Sequence, residues 1–220
     1  MTVNEGGGKT MCIRQRLYPR TGQSLVMESH LAHARFVFNL GLEQRRIWHP
    51  AKSGNFTVTE TTQGRELTEA RKEFPWLAEG SSDVHRGALR DLHAAYRNFW
   101  RDPVRYRAPK FRSRKGRNSF VVKDLVFIRL NRKWAAVRVP KCGKIKFRLT
   151  RGWSDVSAAV SGRVMRSGSG KWHLTLMALP KPFERAGTGE AIGIDRGVAR
   201  TVSTSDGRHS KIPSLSQNGP

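Results

Sequence analysis

The chain changes its hydrophobic period part-way along, and this change constrains its fold more than any other feature. Up to about residue 101, apolar residues recur at gaps of three and four; beyond Asp102-Pro103 they alternate with polar ones or form β-branched runs. The first pattern belongs to helices and the second to strands. Leu31, Ala34, Phe38 and Leu42, with Val37 and Gly41 beside them, make one inward stripe on a helix predicted from about Ser24 to Trp48. His49-Pro50 stops it, and a weaker helix over 61–74 ends at Phe74-Pro75. Val84, Ala88, Leu92, Ala95 and Phe99 stripe a third helix that starts at Ser81-Ser82-Asp83, where serine hydroxyls are free to cap it. Phe38 and Leu92 are therefore expected in the core. Residues 12–18 read as a strand, followed by a turn over 19–22. After the helices, strands are predicted over Ser119–Arg129, Lys133–Val139, Lys144–Leu149, Ser157–Met165 and Lys171–Leu179, with turns at Asn131, Lys141–Gly143 and Ser167–Gly170. Residues 181–189 read as a linker. Ala191–Asp195 reads as a short buried strand, Ala199–Ser205 returns beside it, and Asp206-Gly207 suits a two-residue hairpin turn. The fold class is α+β.

Charge narrows the function. Lys and Arg total 41 against 17 Asp and Glu, a formal +24 on 220 residues. The excess is clustered: 101–148 holds 17 basic residues against Asp102 and Asp124 alone, a net +15. Such a run displaces condensed counterions from a polyphosphate, so it points to nucleic acid. Its densest part offers Arg105, Arg107, Lys110, Arg112, Arg114, Lys115 and Arg117, with Tyr106 and Phe111 interleaved. Cations can take phosphates while rings stack on bases. Arg35, Arg45 and Arg46 fall largely outside the apolar stripe of the first helix and join the candidate binding set. A membrane-surface role would need a basic amphipathic helix, which Pro109, Gly116 and the irregular spacing oppose. No apolar run approaches bilayer length and the first ten residues lack a secretory apolar region, so a cytoplasmic, nucleoid-associated bacterial protein is expected. Residues 1–10 read as a disordered tail. Cys12 and Cys142 form no metal or disulfide pattern and read as small buried hydrophobes in strands.

Among short motifs, Gly8-Lys9-Thr10 imitates a phosphate loop, but Val3 stands where that loop needs glycine. His30 and His33 lie on successive turns with no third ligand, and read as surface or interface residues. Ile192-Gly-Ile-Asp195-Arg-Gly197 carries more chemistry. A carboxylate ending a buried apolar strand needs a partner for its charge, and a divalent cation would serve. By itself the hexapeptide is better read as an Asp capping an ordinary strand-to-turn junction.

The order of the parts is more telling. Ala34–Arg46, then Ser81–Trp100, then Pro109–Lys115, then strands, then Ile192–Gly197 resembles the OrfB/TnpB proteins of bacterial insertion sequences, often called transposases and related to type V CRISPR nucleases, over about residues 11–210. The resemblance implies a wedge-type β-barrel interrupted by a helical recognition domain, followed by the first strands of an RNase H-like (RuvC) domain. The implied division is a first barrel strand in 11–23, the helical domain in 24–101, the basic barrel in 102–186 and an incomplete RuvC-like start in 187–220. It further implies binding of guide RNA and target DNA, and it aligns Asp195 with the family's first catalytic carboxylate, a magnesium ligand. Arg196 departs from the apolar residue common there. The family's catalytic Glu, four-cysteine zinc module and final catalytic Asp have no counterpart in these 220 residues. The expectation is thus a truncated nucleic-acid-binding member that does not cleave alone, or one whose C-terminal nuclease half acts in trans. A structural RNA-binding protein of ribosomal type is the alternative.

Overall fold

A computed structural model describes residues 11–47, 58–116, 118–178, 193–195 and 202–210. The expected tail over 1–10, the helix stop at His49-Pro50, Arg117, the linker and Arg196-Gly197 lie outside the described residues. The chain divides into two compact units, Met1–Pro180 and Lys181–Pro220.

The first unit opens with β1 (Met11–Tyr18), followed by α1 (Thr21–Ile47), α2 (Glu60–Glu73), α3 (Pro75–Glu79) and α4 (Ser82–Arg101). Then come β2 (Ser119–Val122), β3 (Phe127–Arg129), β4 (Trp134–Val139), β5 (Gly143–Arg148), α5 (Trp153–Ser157), β6 (Gly162–Arg166) and β7 (Trp172–Ala178). The seven strands form one curled antiparallel sheet in the order β2-β6-β7-β1-β5-β4-β3. β1 comes first in sequence yet lies at the centre, pairing with β7 from Met11↔Ala178 to Leu17↔Trp172 and with β5 at Leu17↔Phe147. The helices are thus inserted between a central strand and the rest of its sheet. The expected barrel is an open half-barrel, with β2 and β3 as its edges.

Strand alternation sends Ile13, Gln15 and Leu17 inward and leaves Cys12, Arg14, Arg16 and Tyr18 outside. One continuous core then joins the helices to the sheet, with Phe38 and Leu92 both buried as expected. α1, α2 and α4 meet at Gly41, where an added Cβ would sit 3.0 Å from the Leu89 and Leu92 methyls. Buried Gln63 donates to the Gly41 carbonyl at 2.9 Å and to Gln44 Oε1 at 2.8 Å, so the close approach also satisfies the two protons of a buried amide.

Several local expectations change for identifiable reasons. α1 starts at Thr21, not Ser24, because the Gln23 side chain accepts from the Arg20 amide at 3.0 Å and donates to the carbonyls of Cys142 and Lys144, tying the first turn to β5. Pro75 opens the short α3, since the first helical position loses nothing by lacking an amide proton. α2 gains a Thr59–Thr62 capping box, whereas Ser81 at the start of α4 makes no side-chain cap. The strand predicted over Ser119–Arg129 breaks in two, with Asp124 at φ 49. The strand predicted from Ser157 begins only at Gly162, after α5. Cys12 lies on β1 but is exposed; Cys142 is buried in the turn before β5, and its burial pushes the thiol up to about 11.

The second unit contains β8 (Ile194–Asp195), β9 (Val202–Thr204) and β10 (His209–Ser210) in the antiparallel order β10-β9-β8. The expected hairpin turn has three residues rather than two. Thr204 N donates to Arg208 O at 2.9 Å, Gly207 N donates to Thr204 O at 3.0 Å, and Gly207 takes φ 84, a bulged turn that favours glycine. The strand carrying Asp195 is exposed rather than buried. Among the described residues, no helix is long and apolar enough to cross a membrane.

Candidate nucleic-acid interface

Asp91, on α4, anchors the basic run to the scaffold. Its two carboxylate oxygens accept from Arg163 of β6 at 2.7 and 2.8 Å, and Arg112 approaches one of them at 3.4 Å. The Arg112 guanidinium also covers the Phe38 ring at 3.6 Å, and the Arg112 backbone exchanges hydrogen bonds with the Asn39 side chain at 2.8 and 3.0 Å. The bidentate bond to Asp91 raises Arg163 above the ordinary guanidinium range, while burial outweighs the longer Asp91 contact and lowers Arg112. Arg112 is therefore committed to the protein. Its role is to fasten the segment that carries the other cations.

Those cations face solvent. Arg105, Arg107, Lys110, Arg114 and Lys115 are exposed. Asp102 caps the turn after α4 by accepting from the Arg105 amide at 3.0 Å, and Arg101 and Arg105 stand 5.7 and 5.5 Å from the Tyr106 ring centre. Arg46 lies over half-exposed Phe111 at 4.8 Å. Arg45, its neighbour, turns inward to His93 Nδ1 and stacks on Tyr96 at 4.7 Å and Trp100 at 5.8 Å; burial lowers its guanidinium below the ordinary range. Of the two adjacent arginines, Arg46 is the exposed one.

Arg35 converges with Arg114, Lys115 and Arg166 on an open groove of about 720 Å³. α1 forms one wall, Arg114, Lys115, Gly116 and Asn118 a second, and the turn between β6 and β7 a third. Arg166 is held by Glu28 at 2.6 Å across that groove. Gly168 and Gly170 keep the third wall low. Arg166 was absent from the candidate set drawn from sequence; it lies about fifty residues from the basic run, and only the sheet brings the two together.

Of the two histidines expected at the surface or an interface, His30 is buried and His33 half-buried, and both belong to a packed cluster. His30 is buried and its Nε2 lies 2.8 Å from the Pro140 carbonyl. Arg71 can only donate, so its 2.8 Å contact makes His85 Nδ1 an acceptor and leaves the His85 proton on Nε2, directed at His33 Nδ1 3.1 Å away. Burial, reinforced by Arg71, lowers His85 to about 3. No group of three or more His, Cys, Asp or Glu among the described residues could hold a metal ion.

Asp195 pairs with Ser203 across the β8–β9 ribbon. Asp206 lies in the hairpin turn three residues past Ser203, at most about 10 Å of chain away. The Asp206 carboxylate is nevertheless taken by the Thr204 hydroxyl and by Arg208 at 3.4 Å. The described residues thus give Asp195 no converging acid with which to hold magnesium, and no cleavage step can be derived from them.

Residues 11–52 match the helix-turn-helix domain of OrfB proteins of the IS605 type. The described part of that segment is a strand and one unbroken helix. Two curated proteins extend the match. The chain is 27% identical over 197 residues to "Putative RNA-guided DNA endonuclease InsQ" of Escherichia coli (strain K12), covering 87% of this chain and 46% of that protein. It is 27% identical over 198 residues to a protein of the same designation, without the InsQ label, from Streptomyces pristinaespiralis, covering 88% and 48%. The chain spans about half the length of these relatives. It is a relative of the OrfB/TnpB proteins, as the order of its sequence blocks implied.

Proposed function

We propose that this chain is a nucleic-acid-binding part of a TnpB-like, transposon-encoded system, taking guide RNA and target DNA. The observation that carries this reading is the convergence of Arg35, Arg114, Lys115 and Arg166 on one open groove, with Glu28 as its acidic lining residue. Cations fixed on a packed scaffold lose little freedom when they meet a phosphate backbone, and each contact releases a condensed counterion. The unbroken α1 favours backbone contact along a groove over insertion of a short recognition helix. Asp195 is a candidate magnesium ligand of an RNase H-like (RuvC) centre, whose other carboxylates would come from further segments of the same chain or of a second one.

Sequencing the RNA recovered with the chain from cells tests this reading. A defined RNA from an insertion-sequence end is expected. Bulk ribosomal RNA would instead support a structural RNA-binding protein of ribosomal type.

A further inference from the structure

We propose that the outer face of β1, β5 and β4 is a second binding surface for a nucleic-acid backbone, independent of the groove. The inference rests on nucleic acid being the partner. Alternation turns Lys144, Lys146 and Arg148 outward together on β5, while Ile145 and Phe147 enter the core. On β4, Arg138 is exposed and lies directly opposite Lys144 in the pairing register. On β1, Tyr18 pairs with Lys146, and continuing that register sets exposed Arg16 beside Arg148.

Two pairs of like charges thus sit side by side on rigid strands. Directly opposed side chains in an antiparallel pair have Cβ atoms only about 4.5–5.5 Å apart, and like charges there are destabilising. None of these five cations has an ion-pair partner among the described residues. A folded chain that keeps such an array unneutralised is complementary to a linear polyanion. A ring stands among the charges: Tyr18 is 39% exposed, packed edge-on against Trp134 at 5.3 Å, with Arg16 4.9 Å from its centre. A ring held this way can stack on an unpaired base while its neighbours take phosphates. That combination favours nucleic acid over an acidic protein surface.

The test uses the 220-residue chain and two triple variants. One removes charge from the face (Arg138→Gln, Lys144→Gln, Lys146→Gln), the other from the groove (Arg35→Gln, Arg114→Gln, Lys115→Gln). Each is titrated under tight-binding conditions with a single-stranded RNA, and the same sequence as DNA, of roughly 10 nucleotides, within the range one such surface covers. Two oligonucleotides per wild-type chain and one per chain for each variant are expected. The face variant should also melt higher than wild type at low salt, an advantage that high salt removes by screening the like charges. A face variant that keeps the wild-type stoichiometry and affinity would overturn the second surface and leave the groove standing. One oligonucleotide per wild-type chain, weakened by both variants, would overturn its independence. No binding by wild type would overturn the nucleic-acid reading itself.

Discussion

Asp91 holds Arg163 and Arg112 from two distant parts of the chain, and its side chain is only 16% exposed. Replacing it with Asn leaves two half-buried guanidinium groups with a weaker acceptor. Asp91→Asn should therefore lower stability by about 1.5–3 kcal/mol, the range for hydrogen bonds to charged groups, as read from urea unfolding. Phe38→Ala removes both a buried ring and the surface on which Arg112 lies, and should cost about 3–5 kcal/mol. A loss below about 1 kcal/mol would mean that the helical core can collapse around the site. Phe38 was legible in the sequence because the helical period alone marks an inward position. The role of Arg112 was not, because its spacing is the same as that of Lys110 and Arg114. What separates them is Asp91 and Arg163, 21 and 51 residues away, and periodicity carries no information about such partners.

The meeting of α1, α2 and α4 carries a pH dependence. His85 is fully buried and its pKa falls to about 3, against about 6.5 in an unfolded chain. Arg71, His33, His30 and Lys141 face it and oppose its protonation. Between those two pH values the unfolded state binds more protons, so the stability contributed by neutral His85 is complete above pH 6.5 and is lost as pH falls. His30 and His33 are lowered in the same direction. Unfolding free energies from urea titrations between pH 7.5 and 5 should fall with acidity by up to about 1.4 kcal/mol per pH unit on account of His85. His85→Gln should flatten that limb; an unaltered limb would place the titration elsewhere. At this scale helices and strands were readable as periods, but their ends were not. α1 begins early because Gln23 reaches β5, and the predicted strand breaks at Asp124; both depend on what packs beside the chain. Ile192 and Ile194 ahead of Asp195 suggested a buried strand, yet burial needs a covering layer, and apolar neighbours in sequence cannot supply one.

At the scale of the whole molecule, two compact units divide the chemistry that the resemblance implies. The first gathers cations on a packed half-barrel. In the second, exposed Asp195 has no converging acid among the described residues, and Asp206 is engaged by Thr204 and Arg208. Two-metal phosphodiester cleavage needs ions about 3.5–4 Å apart, held by several carboxylates. A polypeptide of these 220 residues, supplied with magnesium and RNA, should therefore leave DNA intact, with Asp195→Ala indistinguishable from wild type in a gel assay. Cleavage that disappears in Asp195→Ala would show that further carboxylates converge on it. The order of blocks made the resemblance legible, and clustering of charge led to the proposed partner class. The groove was legible only in half, since Arg35, Arg114 and Lys115 were in view while Arg166 needed the sheet to reach them. The salt dependence of binding tests the central claim most directly. With about six phosphate contacts, log K against log salt should fall with a slope of roughly −4 to −5. Measured in the Arg138→Gln, Lys144→Gln, Lys146→Gln background, where the groove alone reports, Arg35→Gln, Arg114→Gln and Lys115→Gln together should flatten it by about 2–3. An unchanged slope would contradict the account, because the phosphates would then be held somewhere other than this groove.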